Sequence, residues 1–516
     1  MFSLVERIMQ WAENGYTEPA VIYKNEILDY VKLAQKIKIA SVALRKYGVK
    51  KGSCVLLEAI TNPYMIVAYL AIQYCGGIVV FIDTNTTDRS INDIYNKTEA
   101  VLFLTERSEK NIGWTSCVMS IKALCNAEID VSNLQYNVCK EEDVAEILFT
   151  TGTTGKPKGV VHTYRSINNI LLNTIAGVGM RSDDKILLPL PLGHSLALRV
   201  LRGALYLGGS IVLQNGFAFI NDIEHNQNKF SCTAMIAVPA VMEMLYRKFG
   251  EKFSQILGRF RYIEVGAGSL SIEQRKKYSK LLPDTIIYNT WGSSETGGVI
   301  FLNISEALQS AGRLGTLGKP LSDICVRVVD SGGKEIDSNS DNWGYMSLKG
   351  DMIMQEYWKD PDLTKNTIND GWIITNDIVY QDEEGYLYMM GRADDIVKVG
   401  GENVSTTEIE NIVDQFDNIL ECACIGVDDS ILGQSVVLFL VITSPNLDQK
   451  KLYDFLCNSI EQYKVPNSFV LLNRIPRNRM GKIDRKKLKT IWNGLQKGNT
   501  INQYGEVIKT YSEVVF

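Results

Sequence analysis

Four short stretches of the chain hold residue types suited to phosphate and acyl chemistry. Phe149–Gly159 reads FTTGTTGKPKG, with three glycines, four threonines and two lysines. Glycines free the backbone for tight dihedrals, and successive backbone N–H groups with threonine and lysine donors can form an anion-binding nest. The spacing is not that of a nucleoside-triphosphate P-loop, because Gly152 and Gly155 are three apart and Pro157 follows Lys156. Val160-Val161-His162-Thr163 reads as a strand, so the loop should close a hairpin, with a helix beginning near Ser166. A phosphate cradle and a plain surface hairpin both fit that pattern.

The second stretch, Tyr288–Gly298, reads YNTWGSSETGG and places Glu295 among Ser293, Ser294 and Thr296. A carboxylate with hydroxyls suits a hard cation such as Mg²⁺ bridging phosphates; a strand-end turn with a solvated glutamate is the plainer alternative. In the third, Asp377 ends one strand (TND) and Arg392 follows another. An acid there is either a ribose-hydroxyl acceptor or a turn residue. The fourth is Lys482 in NRMGKID, otherwise one more lysine of a basic tail.

These residues need a scaffold. At 516 residues the chain is too long for one core. Its net charge of −5 gives no basic excess for nucleic acid or an anionic membrane, so a phosphate site must be local. Ten scattered cysteines without a C-x-x-C, behind an amphipathic N-terminal helix rather than a leader, predict reduced thiols and a cytoplasmic protein. The three histidines lack metal-ligand spacing. Tyr64–Ile82 carries no charge, but Asn62-Pro63 starts and Gly76-Gly77 stops a helix, which predicts a buried helix and then a buried strand rather than a membrane span.

Apolar strand runs alternate with helical patterns up to about residue 300, as in mainly parallel sheets covered by helices. From about 312 to 392, short alternating strands broken by turns predict a small antiparallel barrel. After GRADDIVKVGGENV comes a compact α+β piece, so the expected units are 1–393 and 394–516 with the boundary at Asp394.

Taken in order, TTGTTGKPKG, NTWGSSET, TND, GRADDIVKVGG and NRMGK resemble the motifs of the adenylate-forming superfamily of acyl- and aryl-CoA synthetases, luciferases and adenylation domains of nonribosomal peptide synthetases. The resemblance spans about residues 10 to 490. It implies an α/β multidomain fold: a large N-terminal domain of two βα sheets plus a small β-barrel, and a smaller mobile α+β C-terminal domain.

It also implies a reaction. A small carboxylic acid attacks the α-phosphorus of ATP, giving an acyl-adenylate and pyrophosphate, and a thiol then displaces AMP. The thiol is CoA or, as the alternative, the phosphopantetheine of a carrier protein. Thr150, Thr151, Gly152, Thr153, Thr154, Gly155 and Lys158 would hold the phosphates. Glu295 would hold Mg²⁺, Ser294 would touch the α-phosphate, and Lys482 would reach between carboxylate and phosphate. Ala267, Gly268, Ser269, Asn289, Thr290, Trp291 and Gly292 would wall the adenine, with Asp377 and Arg392 on the ribose.

The acid pocket would draw on His194, Ser195, Leu198, Val238, Gly266, Trp291 and Gly298. His194 stands where the superfamily often has a gating aromatic or histidine; a carbonyl-satisfied core histidine is the alternative. Ser195 stands near where amino-acid-activating relatives often carry an anchoring Asp, which points to an uncharged aryl or aliphatic acid rather than an α-amino acid. Arg199 is either a ligand for a second substrate carboxylate or a helix-surface arginine, the commoner place for that residue. Asp394 would be the hinge, with Gly400 and Gly401 lining a thiol tunnel. Asn376 and Trp291 depart from the commoner Gly and Tyr of these motifs.

Overall fold

The computed structural model describes residues 3–107, 117–131, 134–151, 157–217, 221–268, 270–310, 312–443, 447–477, 483–496 and 507–512, with backbone alone at 151, 394, 449 and 507–512. Two large sheets carry the N-terminal part. The first has seven strands, with Ile78–Ile82 beside Val144–Thr151 and then Pro157–Thr163. The second has eight, among them Ala234–Ala237, Tyr262–Val265, Ile286–Ser293 and Gly297–Asn303 as consecutive neighbours. Its interior pairings are parallel, and only the outermost pairs are antiparallel. Parallel strands require crossovers, and the helices that supply them cover the faces.

The charge-free run is core, as its punctuation predicts. Asn62 caps the helix Pro63–Tyr74 by accepting from Tyr64 N, and every residue of the helix except Tyr64 is buried. The strand Ile78–Ile82 that follows is buried throughout. Among the described residues, no helix is long and apolar enough to cross a membrane.

The described ends of FTTGTTGKPKG lie on paired antiparallel strands, with Thr150 opposite Lys158 and Thr151 opposite Pro157. The next helix begins at Tyr164, slightly before Ser166, because the Thr163 side chain caps it by accepting from Ser166 N. The alternating segment forms a five-stranded antiparallel sheet that includes Trp372–Gln381 and Leu387–Arg392. The C-terminal segment builds a separate six-stranded sheet. The main core runs from Leu4 to Leu387, and the C-terminal cores run from Val397 to Leu471 and from Ala423 to Ile491.

Candidate active site

The second sheet brings its candidates together at the ends of adjacent strands, where open α/β sheets bind ligands. Gly266 follows Tyr262–Val265, donates its N–H to Ala237 O at 3.1 Å, and lies against Leu196 and Thr290. Gly268 lies against Pro239, beside Val238. Ala267 between them has φ of +61°, a left-handed conformation uncommon for a residue with a Cβ. Asn289 holds this loop in place: its Nδ2 donates to Val265 O (3.0 Å) and Gly268 O (3.1 Å), and its Oδ1 accepts from Leu270 N (3.2 Å) and Arg275 Nη2 (2.8 Å). Its amide therefore shapes the expected adenine wall from behind.

The ribose candidates meet as well. Asp377 and Arg392 are directly opposed on neighbouring strands, with Arg392 Nε 3.4 Å from Asp377 Oδ1. Trp291 Nε1 donates to Asp377 Oδ2 at 2.9 Å. The departure from the commoner tyrosine thus supplies an indole donor that fixes the carboxylate. Asn376 is exposed and Asp377 keeps its contacts to Trp291 and Arg392, so the second departure leaves the corner intact.

At the turn after Trp291, the hydroxyls divide their roles. Ser293 Oγ accepts from Glu295 N (3.1 Å), and Thr296 Oγ1 accepts from Ser293 N (3.2 Å). Both hydroxyls build the turn, as in the plainer of the two readings of this stretch. Ser294 is held through its carbonyl, which accepts from His162 Nε2 at 2.7 Å. A carbonyl only accepts, so Nε2 carries the proton and Nδ1 faces Ser166 Oγ at 3.0 Å. Burial pushes the His162 pKa down, in keeping with this neutral form.

Residues 354–358 bind this turn to the hairpin. Met354 N donates to Glu295 O (2.8 Å), Gln355 N to Val161 O (2.8 Å) and Trp358 N to Gly159 O (2.7 Å). Tyr357 Oη donates to Glu295 Oε1 at 2.9 Å, and burial beside that carboxylate pushes its pKa up, so it stays a donor. Lys158 Nζ lies 5.6 Å from the centre of the same ring. Among the described residues, no cluster of three His, Cys, Asp or Glu could cage a metal, and none of them bonds Glu295 Oε2. One carboxylate near the hairpin expected to hold phosphate fits Mg²⁺, which keeps waters and takes substrate phosphates as ligands.

The acid side is looser. His194 precedes the helix Ser195–Leu207 and makes no capping bond with its side chain. Its Nε2 is 3.5 Å from Asp83 Oδ2, at the end of a strand of the other sheet. Asp83 Oδ1 accepts from Asn85 N (2.7 Å) and Asn85 Nδ2 (3.1 Å), so the carboxylate is tied to its own turn as well as to His194. His194 holds the Asp83 carboxyl well below the usual range. Leu198 is fully buried beneath this mouth.

Both expectations for Arg199 are corrected. It is buried, forming an ion pair with Glu264, and its Nη1 donates to Thr174 Oγ1 (3.3 Å) and its Nη2 to Thr290 Oγ1 (3.3 Å). A guanidinium so engaged is neither a surface group nor an open carboxylate ligand. Thr290 Oγ1 in turn donates to Glu264 Oε1 at 3.0 Å, so this hydroxyl points under the site rather than at adenine. Gly298 pairs with Gly292, and a Cβ at 298 would stand 3.0 Å from Arg199 Cζ, which explains the glycine by close approach.

Gly400 and Gly401 form the two-residue loop of the hairpin Ile396–Val399/Glu402–Ser405, with φ of +59° and +97°. Such a loop needs positive φ at both positions. A Cβ on Gly401 would meet nothing within 4 Å, so in this arrangement backbone angles, not crowding, demand glycine. Gly152, Thr153, Thr154, Gly155, Ser269 and Lys482 lie outside the described residues, and of Thr151 and Asp394 only the backbone is described.

His162, Tyr357 and Asp83 escaped the sequence reading. Asp83 ends an apolar strand just as Asp377 does, so the same signal marked it. Tyr357 and Glu295 are 62 residues apart and no local pattern links them.

The model of the AMP-binding enzyme family matches residues 8–358, and that of the AMP-binding enzyme C-terminal domain matches 408–482. The chain belongs to the AMP-binding enzyme family. Within it, the chain is similar to the 2-succinylbenzoate–CoA ligase of Bacillus licheniformis, at 28% identity over 93% of this chain and 98% of that enzyme. The Bacillus subtilis ligase of the same name is 25% identical over 93% of this chain and 97% of that enzyme. Among solved structures, the o-succinylbenzoate CoA synthetase of Bacillus subtilis in complex with its acyl-adenylate has a TM-score of 0.81 at 23% identity, covering 94% of this chain and 97% of that one. ATP-bound MatB from Rhodopseudomonas palustris has a TM-score of 0.85 at 22% identity, covering 96% and 99%. At those identities the likeness shows the fold, which is the adenylate-forming one.

Proposed function

We infer that this chain is an AMP-forming acid–CoA ligase: it activates a carboxylic acid with ATP as an acyl-adenylate and then transfers the acyl group to CoA. The observation that carries this is the convergence of the Trp291–Asp377–Arg392 corner with the Ser294–Glu295 turn and the Lys158 hairpin, inside a family whose named relatives are CoA ligases. Asp377 accepts from the ribose hydroxyls and Arg392 donates to them. Lys158 and the hairpin threonines take the β- and γ-phosphates as pyrophosphate leaves.

The acid oxygen forms its bond to the α-phosphorus as the bond to pyrophosphate breaks; the thiol sulfur later bonds to the acyl carbon as AMP departs. Catalysis of this kind rests on positioning and charge stabilisation, and Lys482 is the cation assigned to the converging carboxylate and phosphate. Bound Mg²⁺, held by Glu295, would offset the triphosphate charge; a solved synthetase of this fold carries ATP and a magnesium ion.

The acid proposed is an aryl acid of the 2-succinylbenzoate kind, on the strength of the relatives' names; its second carboxylate departs from the uncharged acid expected from Ser195. Units 1–393 and 394–516, with Asp394 as hinge and Gly400-Gly401 at the thiol tunnel, are supported by the break between Leu387 and Val397 in the apolar cores. Ten free cysteines support a reducing, cytoplasmic setting.

The test is acid-dependent ATP–pyrophosphate exchange over an acid panel headed by 2-succinylbenzoate, then thioester detection with CoA and with a phosphopantetheinyl carrier protein. Exchange with thioester on CoA is expected. Thioester on the carrier alone would select the carrier-loading alternative. No exchange with any acid would leave an idle nucleotide-binding protein.

A further inference from the structure

Tyr357 touches both charge carriers of the phosphate corner. Its strand, Glu356–Tyr357, pairs with the outer strand of the hairpin, Tyr357 opposite Val160. Its backbone N–H donates to Thr364 Oγ1 at 2.9 Å, and the residue is buried. From that fixed backbone the hydroxyl reaches Glu295 Oε1 (2.9 Å), while the ring face lies 5.6 Å from Lys158 Nζ, within cation–π range.

Mg²⁺ demands near-octahedral coordination and takes few carboxylate oxygens. A carboxylate with both oxygens open can swing between one- and two-oxygen binding. Donation by Tyr357 occupies Oε1 and sets the rotation of the carboxylate, which leaves Oε2 as the oxygen without a hydrogen bond among the described residues.

We propose that Tyr357 is a positioning residue that commits Glu295 to bind Mg²⁺ through Oε2 alone, while its ring holds the Lys158 ammonium beside the same phosphates. The proposal rests on the reading of Glu295 as the Mg²⁺ ligand. Partners that orient a metal ligand typically matter about 10–100-fold in metal affinity. The purely structural alternative is that Tyr357 only fills space beside the hairpin, in which case the ring matters and the hydroxyl does not.

The test is the affinity of ATP for the full chain, without acid, in Mg²⁺ and in EDTA; the ratio of the two measures the metal's contribution without turnover. In Tyr357→Phe, which keeps the ring, the ratio is expected to fall about tenfold with the EDTA affinity unchanged. In Glu295→Gln it should fall further, and Tyr357→Phe should add nothing to it, because residues acting through one contact are non-additive. An unchanged ratio in Tyr357→Phe with a lost ratio in Glu295→Gln overturns the Tyr357 role and keeps the metal ligand. An unchanged ratio in Glu295→Gln overturns the ligand reading itself. Equal loss in Mg²⁺ and EDTA, or additive losses in the double variant, assigns Tyr357 to packing and overturns the proposal.

Discussion

The corner proposed for ribose and the mouth proposed for the acid are built to different standards. Asp377 and Arg392 are locked by strand register, and Trp291 donates across to Asp377 from a different sheet. His194 and Ser195 instead stand at the start of a helix, partly exposed, and the His194 ring is tied to the other sheet through a 3.5 Å contact to Asp83. The nucleotide side is therefore arranged before ligand arrives, which is what precise positioning requires. The acid side is set by side chains at a helix start, with no strand pairing to fix them and no side-chain cap from His194. One fold can then keep its phosphate chemistry and vary its acid.

Both regions stand on the buried Arg199–Glu264 pair, so breaking it should give the largest effect. One buried oxygen of Glu264, Oε2, already has no hydrogen-bond partner, and Arg199→Met would leave the carboxylate uncompensated. Removing one partner of a buried pair typically costs about 3–5 kcal/mol. Thermal or denaturant unfolding should show that loss, and Arg199→Met/Glu264→Met should recover much of it. If the single variant melts like the parent, the pair is not what supports the site.

Next comes Lys482→Ala, which takes away the cation assigned to the transition state while leaving the ribose corner whole. Loss of an oxyanion-type donor typically costs about 10²–10³ in rate. Pyrophosphate exchange should fall by that much with ATP affinity nearly unchanged, since the charge matters where negative charge gathers. Near-normal exchange would remove Lys482 from the mechanism.

Asp377→Ala tests the corner itself. It deletes the acceptor proposed for ribose and strands the Trp291 donor and the Arg392 guanidinium. Hydrogen bonds to charged groups contribute about 1.5–3 kcal/mol each, so ATP affinity should fall roughly 10- to 100-fold. The acid KM, read at saturating ATP, should hardly move. An equal shift in both would mean that the two regions are not separable.

What was legible in the sequence follows from the range of the forces involved. The hairpin, the buried helix after Asn62 and the strand-end residues Asp377 and Arg392 announce themselves through turn residues, caps and period, all short-range signals. The Arg199–Glu264 pair does not: an arginine on a helix reads as a surface group unless the strand that buries it is known. His162 likewise looks like any residue of an apolar strand, and only the fold brings it to Ser294. The hydroxyls of Ser293 and Thr296 read as cation ligands by composition, whereas local geometry spends them on the turn.

The smallest effect is expected at Asp83, and its size decides whether the acid mouth is as loosely set as it looks. Asp83 and His194 are each about a third exposed, with side-chain exposures of 38% and 32%. Pairs of that kind contribute about 0.2–1 kcal/mol, which is at most about fivefold in a binding constant. Asp83→Asn keeps the shape and removes the charge that faces His194, so the acid KM should shift by no more than that, with ATP affinity unchanged. The sign with pH follows from the depressed Asp83 pKa. The carboxylate is ionised at every pH above its ordinary value of about 4, and its contribution disappears only as pH falls through the lowered one. The difference in acid KM between parent and Asp83→Asn should therefore carry no Asp83 titration across neutral pH, and added salt should shrink it. A shift of a hundredfold would show that this tether holds the acid mouth as firmly as strand register holds the ribose corner, and the contrast between the two regions would fail.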